Sequence, residues 1–390
     1  MIYLDNAATS YPKPREVWEA LEKHWTYCGG NPGRSGHRLS IAAGRAVLDA
    51  REELAELFHA ERTEQIVFTL NATDAINIAL KGVLNPGDHV ITTSMEHNSV
   101  IRPLRDFERN GGSLTVVNCS PEGFVSLEAI AKAIKQDTRL VVVNHVSNLT
   151  GSVQPIKDIG RLCRDRGVFF MVDAAQSAGI LPIDVQEYYI SLLAFTGHKG
   201  LFGPQGTGGL YVKPGVEVRP LRVGGTGSRS DIQYQPEFMP DRLEAGTVNA
   251  FGLAGLAAGV RFIKRVGLDS IRAKELSLTK SLVAGLREIE GVLVYGPETP
   301  ELGSGVISFN ILGLDGAEVA AVLDEQFGIL TRPGIHCAPL AHETISTFPY
   351  GAIRLSIGYF NTKSDIEQVV EAVSIIAQQG RKEDLSNERN

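Results

Sequence analysis

Cysteines, basic charge and long apolar runs are all scarce in this chain of 390 residues. Its four cysteines are too few and too scattered for a disulfide framework or a paired metal motif, so we expect no metal site and a reducing, cytoplasmic location. A formal net charge of −7 lacks the basic excess that non-specific nucleic-acid binding requires. No apolar run is long enough to span a bilayer and no signal-peptide pattern is present, so neither nucleic acid nor a membrane is an expected partner.

Short apolar runs rich in Val and Ile alternate with helical patterns between residues 60 and 215. Helical patterns are predicted at 73–83, 127–134 and 156–166, among others. The predicted strands cover residues 65–69, 89–93, 114–118, 140–145, 168–173, 192–196 and 209–212. This alternation is typical of βαβ units and predicts an α/β fold around a mostly parallel, buried, seven-stranded sheet.

The last third of the chain has a smaller α+β pattern. Residues 215–250 are rich in Gly and Pro and predict a long functional loop. Helices are expected at 250–265, 269–289, 316–327 and 362–378, and strands at 292–295, 306–311 and 353–356. We therefore predict a large domain of residues 15–258, a small domain of residues 1–14 and 259–380 that carries Cys337, and a disordered tail of residues 381–390.

Lys199 and Asp173 are the most informative pair of residues. Lys199 follows a predicted strand and lies among glycines, which favour close approach of the backbone to a ligand. Asp173 closes another buried strand and faces the crevice in which α/β sheets bind ligands. An amine for a Schiff base and a carboxylate for a pyridine nitrogen are what pyridoxal 5′-phosphate requires. The alternative is a solvated lysine and an Asp that caps a helix.

Several polar residues follow the other predicted strands. Ala72 and Thr73 open a helix whose amides and dipole suit a phosphate, although a Thr here is more often only a cap. His97 is placed to stack on a flat ring, but a lone His is more often structural. Gln176 and Asn148 offer amides to the phenolic oxygen of the cofactor, and Asn148 also to a substrate.

Cys337 and Arg354 are the strongest candidates in the carboxyl-terminal third. Cys337 lies behind a His and between Gly and Pro, on a loop where a thiolate can form and move. Arg354 lies in an apolar strand, where a guanidinium needs an anion such as a substrate carboxylate. The alternative for Arg354 is a structural salt bridge with one of the acidic residues. Cys28, Cys119 and Cys163 are interpreted as structural.

The chain resembles the pyridoxal-phosphate enzymes of the class V aminotransferase family, and within it the group II cysteine desulfurases and selenocysteine lyases. The resemblance is carried by Ile2-Tyr-Leu-Asp-Asn-Ala-Ala-Thr-Ser, Met95-Glu-His-Asn, Val172-Asp-Ala-Ala-Gln, Thr196-Gly-His-Lys, Leu243-Glu-Ala-Gly-Thr and Arg332-Pro-Gly-Ile-His-Cys-Ala. It implies the fold type I of these transferases. Many members have two threonines where this chain has Ala72 and Thr73, so one phosphate donor is missing.

The resemblance also implies a role for each matching residue. Lys199 forms the Schiff base, Asp173 meets the pyridine nitrogen, Gln176 the phenolic oxygen, and His97 covers the ring. The phosphate is bound by Thr73, Thr196, His198 and, from the second chain of a homodimer, Thr247. Substrate binding is assigned to Arg354, Asn148, His37 and Arg332.

The implied activity is removal of sulfur from L-cysteine, which leaves L-alanine and a persulfide on Cys337 that passes to a sulfur-acceptor protein. L-selenocysteine is the nearest alternative substrate, and an aminotransferase or β-lyase of the same fold is the alternative enzyme. A cysteine on a mobile loop favours sulfur transfer. A non-catalytic scaffold would have to lack Lys199 or Asp173, and both are present.

Overall fold

The computed structural model describes residues 1–33 and 35–387, with side chains described through residue 380. Its helices are α1 (Arg15–Tyr27), α2 (Arg38–Leu57), α3 (Ala72–Val83), α4 (Asn98–Arg109), α5 (Leu127–Ala133), α6 (Ile156–Arg166), α7 (Ala250–Val266), α8 (Leu268–Glu288), α9 (Gly316–Phe327), α10 (Pro339–Thr344) and α11 (Lys363–Asn387). Its strands are β1 (Ile2–Tyr3), β2 (Ile66–Thr69), β3 (His89–Thr93), β4 (Ser113–Val117), β5 (Thr138–Asn144), β6 (Phe169–Asp173), β7 (Leu192–Thr196), β8 (Gly208–Val212), β9 (Val292–Tyr295), β10 (Val306–Ile311), β11 (Ile329–Leu330), β12 (Arg332–Gly334) and β13 (Ala352–Ser356).

The central sheet has the strand order β2-β8-β7-β6-β5-β3-β4 within the described part of the chain. Strand β8 runs antiparallel to both of its neighbours, and the other pairs are parallel. Both faces are covered by helices, because Val141 and Val143 pack into one core while Leu140 and Val142 pack into the other. Burial on both faces explains the continuous apolar runs, and the predicted mostly parallel seven-stranded sheet is confirmed.

A further apolar core, separate from the two on the faces of the central sheet, lies around the antiparallel sheet β12-β13-β10-β9. Its apolar residues come from helices α8, α9 and α11 and from the start of the chain, where Ile2 and Leu4 are buried. Strand β1 pairs in parallel with β11, which attaches the first residues to this smaller α+β unit. This arrangement agrees with the expected small domain, whose boundaries at 1–14 and 259–380 remain a prediction.

Two long segments connect these units or extend beyond them. Residues 213–249 contain neither helix nor strand, in line with the predicted loop at 215–250. Helix α11 extends to Asn387, into the segment for which a disordered tail is expected, and residues 388–390 lie outside the described part of the chain. No helix among the described residues is long and apolar enough to cross a membrane.

Helix α6 packs through Gly160 against the backbone at Tyr188 and the ring of Phe170. A Cβ atom at this position would overlap the carbonyl oxygen of Tyr188 and approach the Phe170 ring to 3.2 Å. Because backbone atoms cannot rotate away as a flexible side chain can, the helix has no room for a larger residue here.

Replacement of Gly160 by Ala should therefore destabilise the fold by about 1–3 kcal/mol through overpacking, despite the better helix propensity of Ala. Thermal unfolding measures the effect. Gly44→Ala in α2 is the matched control, since its added Cβ would meet no atom closer than 3.8 Å, and it should leave the melting temperature unchanged or raise it. Equal melting temperatures of the two variants would contradict the close packing of α6.

Candidate active site

A cleft lies where the parallel strands of the central sheet end. It has a cavity volume of about 100 Å³. Each group of lining residues follows the carboxyl end of a different strand, as expected for an α/β sheet. The lining residues are Asn71, Ala72, Thr73, His97, Ser99, Asn144, Val146, Asn148, Asp173, Ala175, Gln176, Thr196, His198 and Lys199.

Lys199 and Asp173 both line this cleft, as the sequence predicts. Burial disfavours the ammonium form and lowers the pKa of Lys199 from 10.5 to about 8, although the charge of Asp173 opposes this shift. Burial also raises the pKa of Asp173, while a hydrogen bond from the Ala175 amide to Oδ1, 2.9 Å long, favours its ionised form. The cleft thus combines a partly neutral amine with a buried carboxylate.

The glycines around Lys199 serve the packing of the protein itself. A Cβ at Gly197 would overlap the Thr207 side chain, and one at Gly200 would meet the carbonyl oxygen of Ala178 at 2.5 Å. Close approach is therefore required, as the sequence indicates, but to neighbouring segments of the chain. Close packing at Gly197 and Gly200 therefore fixes the turn that carries Lys199.

One wall of the cleft is formed by the starts of α3 and α4. His97 caps α4, where its Nδ1 accepts from the Ser99 amide at 3.0 Å and lies 2.8 Å from Ser99 Oγ. That hydroxyl lies 2.7 Å from Thr73 Oγ1. Burial, together with the nearby charge of Lys199, lowers the pKa of His97 to about 4, so its ring is neutral near pH 7. Asn71 caps α3 and leaves the first amides of that helix directed at the cleft.

Four buried polar atoms of the cleft have no hydrogen-bond partner among the described residues. They are Asn144 Oδ1, Asn148 Oδ1, Thr196 Oγ1 and His198 Nδ1. Burial of an unpaired polar atom costs about 1–3 kcal/mol, so such a cluster indicates a place where a polar ligand binds. Burial and the charge of Lys199 lower the pKa of His198 to about 4, which leaves one imidazole nitrogen to donate and one to accept.

The loop that carries Cys337 is attached to the cleft walls. The carbonyl oxygen of Cys337 accepts from the Asn98 amide at 2.7 Å, next to His97. The carbonyl oxygen of His336 accepts from Asn148 Nδ2 at 2.8 Å. Cys337 is exposed, in contrast to the buried Cys163. The structure therefore brings an accessible thiol against the same loops that line the cleft.

Arg354 forms the structural salt bridge that was the alternative interpretation. Its Nη2 lies 2.7 Å from Asp5 Oδ1, and its Nη1 donates to the Asn148 carbonyl at 3.1 Å. Its Nε has no partner, although the side chain is buried. Arg354 and Arg332 face each other on paired strands, and the charges of both lower the pKa of Lys199. Asp5 is thus a residue of this region that the sequence analysis does not single out.

Five predicted site residues are not among those that line the cleft, namely Arg332, Cys337, Arg354, His37 and Thr247. His37 is exposed and caps α2 by accepting from the Ser40 amide. Thr247 is exposed, and its hydroxyl accepts from Asn31 Nδ2 at 3.4 Å. The Asn31 carbonyl in turn accepts from Ser40 Oγ at 2.6 Å, so His37 and Thr247 belong to one connected surface region.

Several lining residues escaped the sequence analysis, namely Asn71, Ser99, Asn144, Val146 and Ala175. Each lies within a few residues of a strand end, and that position is the signal that could have identified them. Across the described residues, no group of three His, Cys, Asp or Glu side chains is placed to hold a metal ion.

Solved structures with the same architecture identify the class of protein. The apo structure of the cysteine desulfurase from Thermococcus onnurineus NA1 superimposes with a TM-score of 0.92 at 35% identity and covers 97% of this chain and 95% of that one. The cysteine desulfurase CsdA from Escherichia coli gives a TM-score of 0.86 at 27% identity, over 97% and 94% of the two chains. The fold is therefore the fold type I of pyridoxal-phosphate-dependent transferases.

The sequence comparisons narrow this class to a family. The family profile described as Aminotransferase class-V matches residues 2–369. A probable cysteine desulfurase from Methanothermobacter thermautotrophicus is 38% identical over 386 residues, which cover 97% of this chain and 95% of the relative. The cysteine desulfurase IscS from Shewanella denitrificans is 34% identical over 96% of this chain and 92% of its own length. The chain belongs to the class V aminotransferase family.

The lowered pKa of Lys199 predicts how its reactivity depends on pH. Only the neutral amine attacks an electrophile, so labelling of Lys199 in the cofactor-free protein should rise with pH through a midpoint at about 8 and level off roughly one pH unit higher. The charge of Asp173 raises this pKa, so Asp173→Asn should shift the midpoint to lower pH. Peptide mass spectrometry after brief acetylation between pH 6 and 10 measures both midpoints. A wild-type midpoint near 10.5 would contradict the effect of burial.

Proposed function

We propose that this chain is a pyridoxal-phosphate-dependent cysteine desulfurase, a sulfurtransferase that converts L-cysteine into L-alanine and leaves a persulfide on Cys337 for transfer to an acceptor protein. The observation that carries the proposal is the attachment of the exposed Cys337 loop to the cleft of Lys199 and Asp173. An aminotransferase or β-lyase needs only the amine and the carboxylate, whereas a thiol held against the cleft suits sulfur transfer. The names of the full-length relatives support the same activity.

The donor groups of the cleft fit pyridoxal phosphate. Its phosphate would take up the unpaired atoms of Thr196 and His198 together with the hydroxyl of Thr73 and the amides at the start of α3, where Ala72 contributes its backbone only. Its ring nitrogen would meet Asp173, and its aldehyde would meet Lys199. The neutral imidazole of His97 would cover the ring, and Gln176 and Asn148 would lie near the phenolic oxygen.

When bound, the cofactor supplies an aldehyde that condenses with amines and a ring that withdraws electrons. Lys199, with a pKa of about 8, is suited both to accept the Cα proton of cysteine and to return it. The Cys337 thiolate attacks the substrate sulfur, so that an S–S bond forms while the Cβ–S bond breaks. The electron pair of the broken bond remains on the substrate, and Cβ takes up a proton, which yields alanine and the persulfide.

The substrate carboxylate is assigned to the cationic end of the cleft. Arg354 retains an Nε–H without a partner, and Arg332 lies beside it on the neighbouring strand. Asp5 neutralises part of this charge and fixes one side of the guanidinium plane. Asn148, which contacts both Arg354 and the Cys337 loop, would couple carboxylate binding to the position of the thiol. We assign His37 to the same substrate through the surface that it shares with Thr247.

We infer a homodimer in the cytoplasm, in which Thr247 completes the phosphate site of the partner. Thr247 is exposed and outside the cleft of its own chain. Exposed aromatic side chains on the same chain support the dimer, because α1 leaves Trp18 and Trp25 68% and 78% exposed. A two-fold axis would bring both sites to one interface.

A hybrid dimer tests the contribution of Thr247. Neither Lys199→Ala nor Thr247→Glu should be active alone, because one lacks the amine and the other repels the phosphate. If Thr247 acts across the interface, each hybrid contains one intact site, and full subunit exchange should restore about a quarter of the wild-type activity. Size measurement of both variants confirms that they dimerise. A mixture that stays inactive after verified exchange would assign Thr247 to the site of its own chain, and activity of Thr247→Glu alone would assign it to no site.

Cys337→Ser tests the persulfide step. The serine hydroxyl stays protonated near neutral pH, so desulfuration of cysteine should fall at least ~10²-fold, or about 2.7 kcal/mol in the barrier. Cysteine should still bind and change the cofactor spectrum, because Lys199 and Arg354 are unchanged. Alanine formation from L-cysteine and from L-selenocysteine is measured in parallel.

Selenium leaves carbon more readily than sulfur, so selenocysteine turnover should be reduced less than cysteine turnover in this variant. Cys163→Ser is the matched control, since Cys163 is buried in the core and burial raises its pKa to about 12. Alanine production from cysteine at the wild-type rate by Cys337→Ser would replace the persulfide mechanism with a simple lyase.

A further inference from the structure

The thiol of Cys337 is presented by an unusual stretch of backbone. His336 and Cys337 both have left-handed conformations, with φ of 52° and 56°. Residues with a side chain rarely adopt this conformation, and two in succession need support from the surrounding structure. The support comes from a buried side-chain network beneath the loop.

The network consists of two stacked imidazoles and a hydroxyl. His336 Nε2 lies 2.8 Å from the Arg332 carbonyl oxygen, and His336 Nδ1 lies 3.3 Å from His342 Nε2. His342 Nδ1 lies 2.6 Å from Thr347 Oγ1. The rings of His336 and His342 are nearly parallel, with an interplanar angle of 13°, and both are buried.

The carbonyl oxygen at one end sets the direction of every hydrogen bond. Because a carbonyl only accepts, His336 Nε2 carries the proton and its Nδ1 is an acceptor. His342 Nε2–H then donates to His336 Nδ1. Thr347 O–H donates to His342 Nδ1 at 2.6 Å, which is much closer than the other acceptor, the His342 carbonyl oxygen at 3.4 Å. Both imidazoles are neutral in this arrangement, in agreement with burial, which lowers the pKa of His336 to about 3 and that of His342 to about 4.

Because of these hydrogen bonds, His336 cannot act as the base for the neighbouring thiol of Cys337. Each of its ring nitrogens is already engaged within the network, and neither is free to accept a proton from Cys337. A His whose ring nitrogen is within hydrogen-bond reach of a thiol can act as its base. Here the side chain of His336 holds the backbone of the loop instead.

The far end of the network is fixed to the cleft wall. Helix α10 carries His342, and its Thr344 Oγ1 lies 2.8 Å from Ser94 Oγ, just beyond strand β3. Ala338, Ala341 and Ile345 pack with Met95 in a separate apolar cluster. The support for Cys337 and the loop that carries His97 are therefore parts of one packed unit.

We propose that His342 is the positioning residue of Cys337: through its one-way hydrogen bonds to His336 and from Thr347, it holds the left-handed loop that presents the thiol to the substrate. This assignment rests on the proposed function, since it concerns the nucleophile of that reaction. The position of the Cys337 loop can also be measured without turnover.

The test uses the cofactor-loaded dimer and two substitutions of His342. Leu fills a similar volume without any hydrogen bond, whereas the amide of Gln can still donate to His336. His342→Leu should lower kcat for cysteine about 10- to 100-fold, as expected for a misplaced reacting group. Binding of cysteine, followed by the cofactor spectrum, should change less than about threefold, and His342→Gln should recover most of kcat.

Hydrogen exchange reports the position of the loop independently of activity. The Asn98 amide donates to the Cys337 carbonyl, so its exchange should accelerate at least about tenfold in His342→Leu and return towards the wild-type rate in His342→Gln. If His342→Leu does not fold, Thr347→Val removes the donor at the other end of the network and is measured in the same way.

His89 supplies the matched control. It is fully buried and lies 2.8 Å from the hydroxyls of Thr138 and Thr115, but it stands at the start of β3, at the opposite end from the cleft. His89→Leu should lower the melting temperature without changing kcat or Asn98 exchange. Wild-type kcat and Asn98 exchange in His342→Leu would overturn the proposal. A wild-type protein that makes no alanine from cysteine would instead overturn the proposed function, and Asn98 exchange would still decide the role of His342.

Discussion

The parallel register of β5, β6 and β7 is the constraint on which the candidate site depends. Asn144 pairs with Asp173, and Asp173 pairs with Ala194, so the three strands end at nearly the same level. The chain leaving each strand therefore enters the same cleft with Asn148, Gln176 or Lys199. A shift of β6 by one residue would turn Asp173 towards the opposite face of the sheet. The register of these buried strands thus determines the geometry of the polar site.

Burial by the same core sets the protonation of the cleft. It lowers the pKa of Lys199 to about 8 and that of His97 to about 4, because a charged group loses its hydration there. The charge of Asp173 opposes this effect at Lys199, since it stabilises the ammonium form and raises the pKa. The balance keeps a usable fraction of neutral amine near pH 7 and an uncharged ring on the cleft wall. The partly neutral amine of Lys199 and the uncharged imidazole of His97 both follow from desolvation.

The periodicity of apolar residues in the sequence predicts the helices and strands. It does not predict contacts between residues that are far apart in the chain. Strand Val292–Tyr295 and helix Gly316–Phe327 lie where the sequence predicts them, because each turns a repeating set of apolar residues towards the core of the small sheet. Asp5 and Arg354 are separated by 349 positions, and no local pattern indicates their ion pair. The short strands β1, β11 and β12 carry too few residues to show a period. His342 was likewise unassigned, since its partners become visible only when α10 folds beneath the Cys337 loop.

The two groups of the proposed reaction lie in different environments: Lys199 is buried in the cleft, and Cys337 is exposed on a loop. Lys199 gains its neutral fraction from burial, so it must lie deep in the cleft. Cys337 would have to deliver sulfur to another molecule, and a thiol enclosed to the same depth could not be reached by a protein acceptor. The structure therefore places the thiol on an exposed loop and obtains its positional accuracy from hydrogen bonds to the loop backbone, through Asn98, Asn148 and His336. Rigidity is supplied from beneath the loop, which leaves the sulfur atom itself accessible from outside.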